Sequence, residues 1–166
     1  MAVLSLRYFG DPVLRTPATE VGADFSSDAT LATLVADMLE TMDHHGGVGL
    51  AANQVGVTKR VFVYDCESDR GHVINPTWEP VGEETQTGPE GCLSIPGIRG
   101  EVERAETVRL RGQTLDGALV DREVSGLLAR CVQHETDHLD GVLFLKHLSP
   151  EDRKQAMADI RRSEWF

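Results

Sequence analysis

Residues Gln133-His134-Glu135-Thr136-Asp137-His138 set two imidazoles four positions apart, with a carboxyl directly after the first. On a helix such positions share one face, so His134 and His138 could hold a single cation from successive turns. Glu135 is placed to handle the proton of a water activated there. The same short pattern also occurs in ordinary helices whose histidines are only hydrogen-bonded. Leu127, Leu128, Cys131 and Val132 make the preceding turns apolar, so the helix is expected to be buried and its imidazoles to need partners. A catalytic zinc-type site usually takes three protein ligands and keeps one position open. Downstream, Asp140, His147, Glu151 and Asp152 are candidates for the third, although His147 closely follows the apolar run Val142-Leu143-Phe144-Leu145. Upstream, Cys92 in the segment Pro89 to Gly97 is the better candidate, because a thiolate suits soft and borderline metals. Read alone, Cys92 is better explained as a buried thiol.

The elements that must position these residues follow from periodicity. Ser26, Ser27 or Asp28 caps a helix carrying Leu31, Leu34, Val35, Met38, Leu39 and Met42 at helical spacing, ended by Gly46-Gly47. Asp11-Pro12 opens a short helical turn. Strands are expected at residues 60–64, at 72–75 where Pro76 stops the run, at 103–111 and at 118–124, with Leu115-Asp116-Gly117 turning between the last two. Residues 78–89, rich in Gly, Pro, Thr and Glu, are expected to be loop or irregular edge strand. The helix carrying the histidines spans Ser125 to about Leu139, and a last helix runs from Ser149-Pro150 to near Arg162. An early helix, a block of strands, then helices is an α+β order, not an alternating one.

At 166 residues the chain is sized for one domain spanning 1–166 with a core of its own. A net charge of -11 argues against a general nucleic-acid or anionic-membrane binder. The three cysteines are too few and too odd for a disulfide framework. The first residues lack a basic start followed by an apolar segment, and the expectation is a cytoplasmic protein. Cys66 and Cys131 are assigned to packing. His44, His45, His72 and His147 are assigned to surface or loop positions.

Three segments, taken together and in order, resemble peptide deformylase: Gly47-Val48-Gly49-Leu50-Ala51-Ala52-Asn53-Gln54, Glu90-Gly91-Cys92-Leu93-Ser94, and Gln133 through His138. The likeness extends to Asp11 through Leu14, to Ile74-Asn75-Pro76 and to Gly141 through Leu148. It implies an α+β fold with antiparallel or mixed strands wrapped around a central metal-binding helix, an N-terminal helix and a C-terminal helix. It implies removal of the N-formyl group from the initiator methionine of nascent chains. Cys92, His134 and His138 become ligands of one divalent metal, Glu135 the general acid/base, and the Gln54 amide with the Leu93 backbone N–H the groups facing the developing oxyanion. The resemblance favours ferrous iron (Fe2+); two imidazoles and a thiolate also suit Zn2+, Ni2+ or Co2+.

The glycines Gly47 and Gly49 let backbone approach a ligand closely, so an extended peptide can pair there as an added strand. Val48, Leu93, Leu127, Cys131 and the stem of Arg130 are candidates for an apolar pocket for the methionine side chain. Arg130 is a departure from the aliphatic residue the resemblance leads one to expect. Arg99 is a candidate for contacting substrate backbone, with a surface ion pair as the alternative. Asp137 is expected to pair with Arg104, and Glu90 to lie behind the metal ligands or to be a loop charge. Arg153, Lys154, Arg161 and Arg162 hint at a transient ribosome contact, with a solvated face as the plainer reading. Two rivals remain: a metallopeptidase of the His-Glu-x-x-His type with a downstream third ligand, and a metal-stabilised binding module with a closed four-ligand site.

Overall fold

A computed structural model describes residues 2–23 and 28–166. The helix α1 (Ala29–His44) is capped by Asp28, whose side chain accepts the N–H groups of Thr30 and Leu31; Ser26 and Ser27 lie outside the described residues. The chain then forms β1 (Gly49–Ala51), a 3-10 turn at Ala52–Val55, β2 (Val61–Cys66) and β3 (Asp69–Pro80). A hairpin follows, β4 (Thr85–Cys92) and β5 (Ile95–Ala105), and then β6 (Thr107–Gln113), β7 (Leu119–Ser125), α2 (Gly126–Leu139) and α3 (Pro150–Arg162). The architecture is α+β. One antiparallel sheet runs in the order β1-β2-β3-β6-β7, and β4-β5 stands apart as its own two-stranded sheet.

The sheet is covered on both sides, which explains why β2 reads as the unbroken apolar run Val61-Phe62-Val63-Tyr64. Successive side chains on a strand point to opposite faces. Val61 and Val63 join Leu31, Val35, Met38 and Met42 of α1, while Phe62 and Tyr64 join Ala129, Cys131, Val132 and Leu139 of α2. A third cluster sets Ile95, Ile98 and Val102 of β5 against Phe144, Leu145, Leu148 and, on α3, Ala156 and Ile160. The helix α2 therefore sits between the main sheet and the β4-β5 hairpin, and ten of its fourteen residues are buried. Many of those ten are polar, so burial sets a cost on any polar atom left without a partner.

Three expectations need correction. Pro76 does not end its strand: β3 continues to Pro80 because the register shifts between Ile74 and Thr77, a bulge in which Asn75 takes φ 52° and proline's missing N–H is not needed by the ladder. Asn75 is held there by exchanging hydrogen bonds with the backbone of Val21 (2.8 and 2.9 Å). Residues 78–80, read as loop or irregular edge strand, complete β3 inside the main sheet, whereas 85–89 form the edge strand β4, as the second alternative had it. The single strand expected at 103–111 is two, broken at Glu106, where the chain leaves the hairpin for the main sheet. At that break the Gln133 side chain of α2 takes the place of a neighbouring strand, accepting from Ala105 N (3.0 Å) and donating to Ala105 O (2.9 Å). The turn at Leu115-Asp116-Gly117 and the caps Ser149-Pro150 and Asp11-Pro12 form where expected.

Ile160 is fully buried where α3 meets β5. Ile160→Ala should lower the unfolding free energy by about 2–5 kcal/mol in urea denaturation without changing the slope.

Candidate metal centre and catalytic cleft

A cleft of about 780 Å³ opens between β1, the β4-β5 hairpin and α2. Cys92 occupies the last position of β4, paired with Ile95, so Leu93 and Ser94 form the tight corner of the hairpin. That corner faces α2, bringing Cys92 Sγ to 3.3 Å from His138 Nε2. Donor atoms of Cys92, His134 and His138 all lie within 4.8 Å of one another. The two imidazole rings are 4.9 Å apart on successive turns of α2. His134 Nδ1 lies 2.8 Å from Glu90 Oε1. A buried carboxylate can only accept there, so Nδ1 donates and Nε2 is the atom left for the cluster; burial opposes the charge on this imidazole, but the Cys92 and Glu90 bonds push it well above its ordinary pKa, so a bound cation would displace the Nε2 proton. Burial, reinforced by the neighbouring His134, pushes His138 well below its ordinary pKa, leaving it in the neutral form that binds cations. One thiol and two imidazoles, that of His134 oriented by Glu90, with a cleft on the remaining side, fit a divalent cation with an open position. Sequence reading also offered a downstream third ligand; instead His147 Nε2 bonds Asp137 Oδ2 at 2.9 Å.

Glu90 is the hub behind these residues. It is 5% exposed and receives Arg104 Nε and Nη2 (2.8 Å each), Arg130 Nη1 (2.5 Å) and His134 Nδ1. Burial alone would raise its pKa; the Arg104 and His134 bonds overcome this and hold the carboxyl well below the usual range. Arg104 also reaches Asp137 at 2.7 Å, the pair expected from sequence.

Glu135 lines the cleft next to His134, and its Oε1 has no hydrogen-bond partner among the described residues. Burial pushes its carboxyl up to about 7. A Cβ on Gly49 would fall 2.6 Å from Glu135 Oε2 and 2.7 Å from Cys131 Sγ, so glycine is required there. Gln54 is buried. Its Oε1 accepts from Ala51 N (2.9 Å), which turns Nε2 toward Ser94 Oγ (3.1 Å) and Cys92 Sγ (3.5 Å). Gly47, Val48, Leu93, Arg99, Leu127, Arg130 and Cys131 all line the same cleft. Cys66 and Cys131 are buried, and both thiols donate to the Val48 carbonyl at 3.6 Å. Sequence reading missed Leu6, Tyr8 and Pro96 on the cleft wall. His72 is not a free surface group: it is half-buried and accepts Leu115 N at 2.9 Å.

A family profile described as polypeptide deformylase matches residues 3–154. The chain belongs to the peptide deformylase family. Peptide deformylase 1 of Corynebacterium efficiens is 62% identical over 170 aligned residues, covering 100% of this chain and 99% of that one. The peptide deformylase of Acidothermus cellulolyticus is 54% identical, covering 99% and 89%. Among solved structures, the peptide deformylase of Thermotoga maritima superimposes with a TM-score of 0.85 at 43% identity, covering 90% of this chain and 100% of that one. That of Synechococcus elongatus, in complex with actinonin, gives 0.89 at 38% identity, covering 99% and 90%. Family membership and the Cys-His-His cluster make this chain a metal-dependent hydrolase with a deformylase mechanism. Among the described residues no helix is long and apolar enough to cross a membrane.

Arg104 touches Glu90 and Asp137 from one side chain, so their effects should couple. In a double-mutant cycle of Arg104→Met and Asp137→Asn, the double variant should be destabilised by less than the sum of the singles, by about 0.5–3 kcal/mol; simple additivity would contradict the pairing.

Proposed function

We propose that this deformylase removes the N-formyl group from the initiator methionine of nascent polypeptides in the cytoplasm and releases formate, with residues 1–166 acting as one catalytic domain. Cys92, His134 and His138 would hold a single divalent ion, ferrous iron by preference, with zinc, nickel or cobalt compatible with the same donors. When bound, such an ion polarises a carbonyl and makes water acidic enough to be a nucleophile near neutral pH. The observation that carries the reading is the Glu135 carboxyl, buried in the cleft beside that donor set with its Oε1 unpartnered among the described residues.

A carboxyl poised at about 7 suits both halves of proton transfer at neutral pH. Glu135 takes the proton of the attacking water and delivers it to the leaving amine nitrogen. Gln54 Nε2, aimed at the Cys92 corner by Ala51 and Ser94, donates to the formyl oxygen as charge builds on it, and the Leu93 N–H leaves from the same corner. Gly47-Val48-Gly49 pairs with the extended peptide, and Arg99 contacts its backbone from the opposite wall. Val48, Leu93, Leu127, Arg130 and Cys131 surround the methionine side chain. A ribosome contact through α3 has less support: Arg153 is engaged by the Leu145 and Lys146 carbonyls, and Arg162 by Asp159.

The test is formate release from a formyl-methionyl peptide by protein prepared with iron and without oxygen. Glu135→Gln should bind metal and release almost no formate. Cys92→Ala should lose metal. Gln54→Ala should keep metal and lose about 10²–10³ in kcat. A folded, metal-loaded wild type that releases no formate would defeat the reading.

A further inference from the structure

Resting on that reading, the side chain behind the formyl group must be recognised by a wall of this cleft. The helix α2 turns Leu127, Arg130, Cys131 and His134 toward it, a spacing that keeps them on one face. Arg130 thus lines the cleft one helical turn before His134. It is an unusual wall residue, since its side chain is only 9% exposed. Its guanidinium is pinned from two strands. Nη1 donates to Glu90 Oε2 (2.5 Å) and the Val102 carbonyl (3.0 Å), Nε to Gln86 Oε1 (3.3 Å), and Nη2 to the Gln86 carbonyl (3.3 Å). Glu90 neutralises its charge at contact distance, so it is no trap for an acidic side chain. The pinning also keeps it from swinging aside to lengthen the pocket. Val48 and Leu127, 47% and 39% exposed, form the apolar rim.

The geometry points to Arg130 as a specificity-determining residue that makes the pocket favour the thioether of methionine over a hydrocarbon chain of equal length. Sulfur is polarisable and a weak acceptor, so it gains from a fixed N–H donor what a methylene does not, and the four bonds above leave one of the five guanidinium N–H groups unused. Burial alone sets the opposite order, because the all-carbon chain is the more apolar. The guanidinium reverses it. If Arg130 only held Glu90 in place, its loss would slow every substrate alike and leave their ratio untouched.

The experiment compares kcat/KM for formyl-methionyl and formyl-norleucyl tripeptides with wild type, Arg130→Leu and Arg130→Lys. Wild type should prefer the methionyl peptide by about threefold or more. Arg130→Leu should abolish the preference or turn it toward the norleucyl peptide, and Arg130→Lys, which keeps N–H donors, should retain part of it. Equal hydrolysis of both peptides by wild type overturns the inference with no variant needed, and so does an unchanged ratio in Arg130→Leu. Formate from neither peptide overturns the deformylation reading and this inference together; brisk formate release at parity overturns this inference alone.

Discussion

A single buried carboxylate holds the two halves of the site together. Glu90 comes from the β4-β5 hairpin, and its partners come from β5 (Arg104) and α2 (Arg130 and His134). Four hydrogen bonds fill the acceptor capacity of an ionised carboxyl, so neither the group nor the imidazole bound to it has another place to turn. Burying such a charge is costly unless every partner is present. Losing one partner of a buried pair commonly costs about 3–5 kcal/mol, whereas the intact set fixes geometry more than it adds net stability. The hairpin corner that carries Cys92 is thereby locked in register with the helix face that carries His134 and His138.

The remaining architecture serves that lock. The main sheet gives α2 an apolar seat through Phe62, Tyr64, Val108 and Leu110, while α1 closes the opposite face. The third cluster presses the hairpin onto α3 and the segment after α2. Gly49 then lets β1 lie against Glu135 and Cys131, where any side chain would collide with both. Polar residues that look out of place on a buried helix are the ones that tie it down: Gln133 completes the end of β5, and Asp137 links Arg104 to His147.

Much of this was legible in the sequence because it is local or periodic. The four-residue spacing of His134 and His138, the apolar rhythm of α1, the caps at Asp28 and Ser149, and the run at β2 depend on near neighbours. The order α+β followed from them. Thiolate chemistry made Cys92 a candidate third ligand, but only the resemblance chose it, since nothing local says which way a hairpin corner faces. Neither guanidinium on Glu90 was legible: Arg104 was expected on Asp137 alone, and Arg130 and Glu90 are 40 residues apart and meet only through tertiary register. His147 was assigned to the surface, which it occupies, but its bond to Asp137 depends on how the chain folds back after α2. Pro76 misled for a different reason: a bulge removes the hydrogen bond that proline cannot make.

The most direct test of this account is the metal affinity of Glu90→Gln, measured by chelator competition on protein shown to be folded. The change keeps the shape of the side chain and removes its charge. If the carboxylate fixes and polarises His134, affinity should fall about 10- to 100-fold. An unchanged affinity would mean that the metal cluster assembles without Glu90, and the account would fail at its centre.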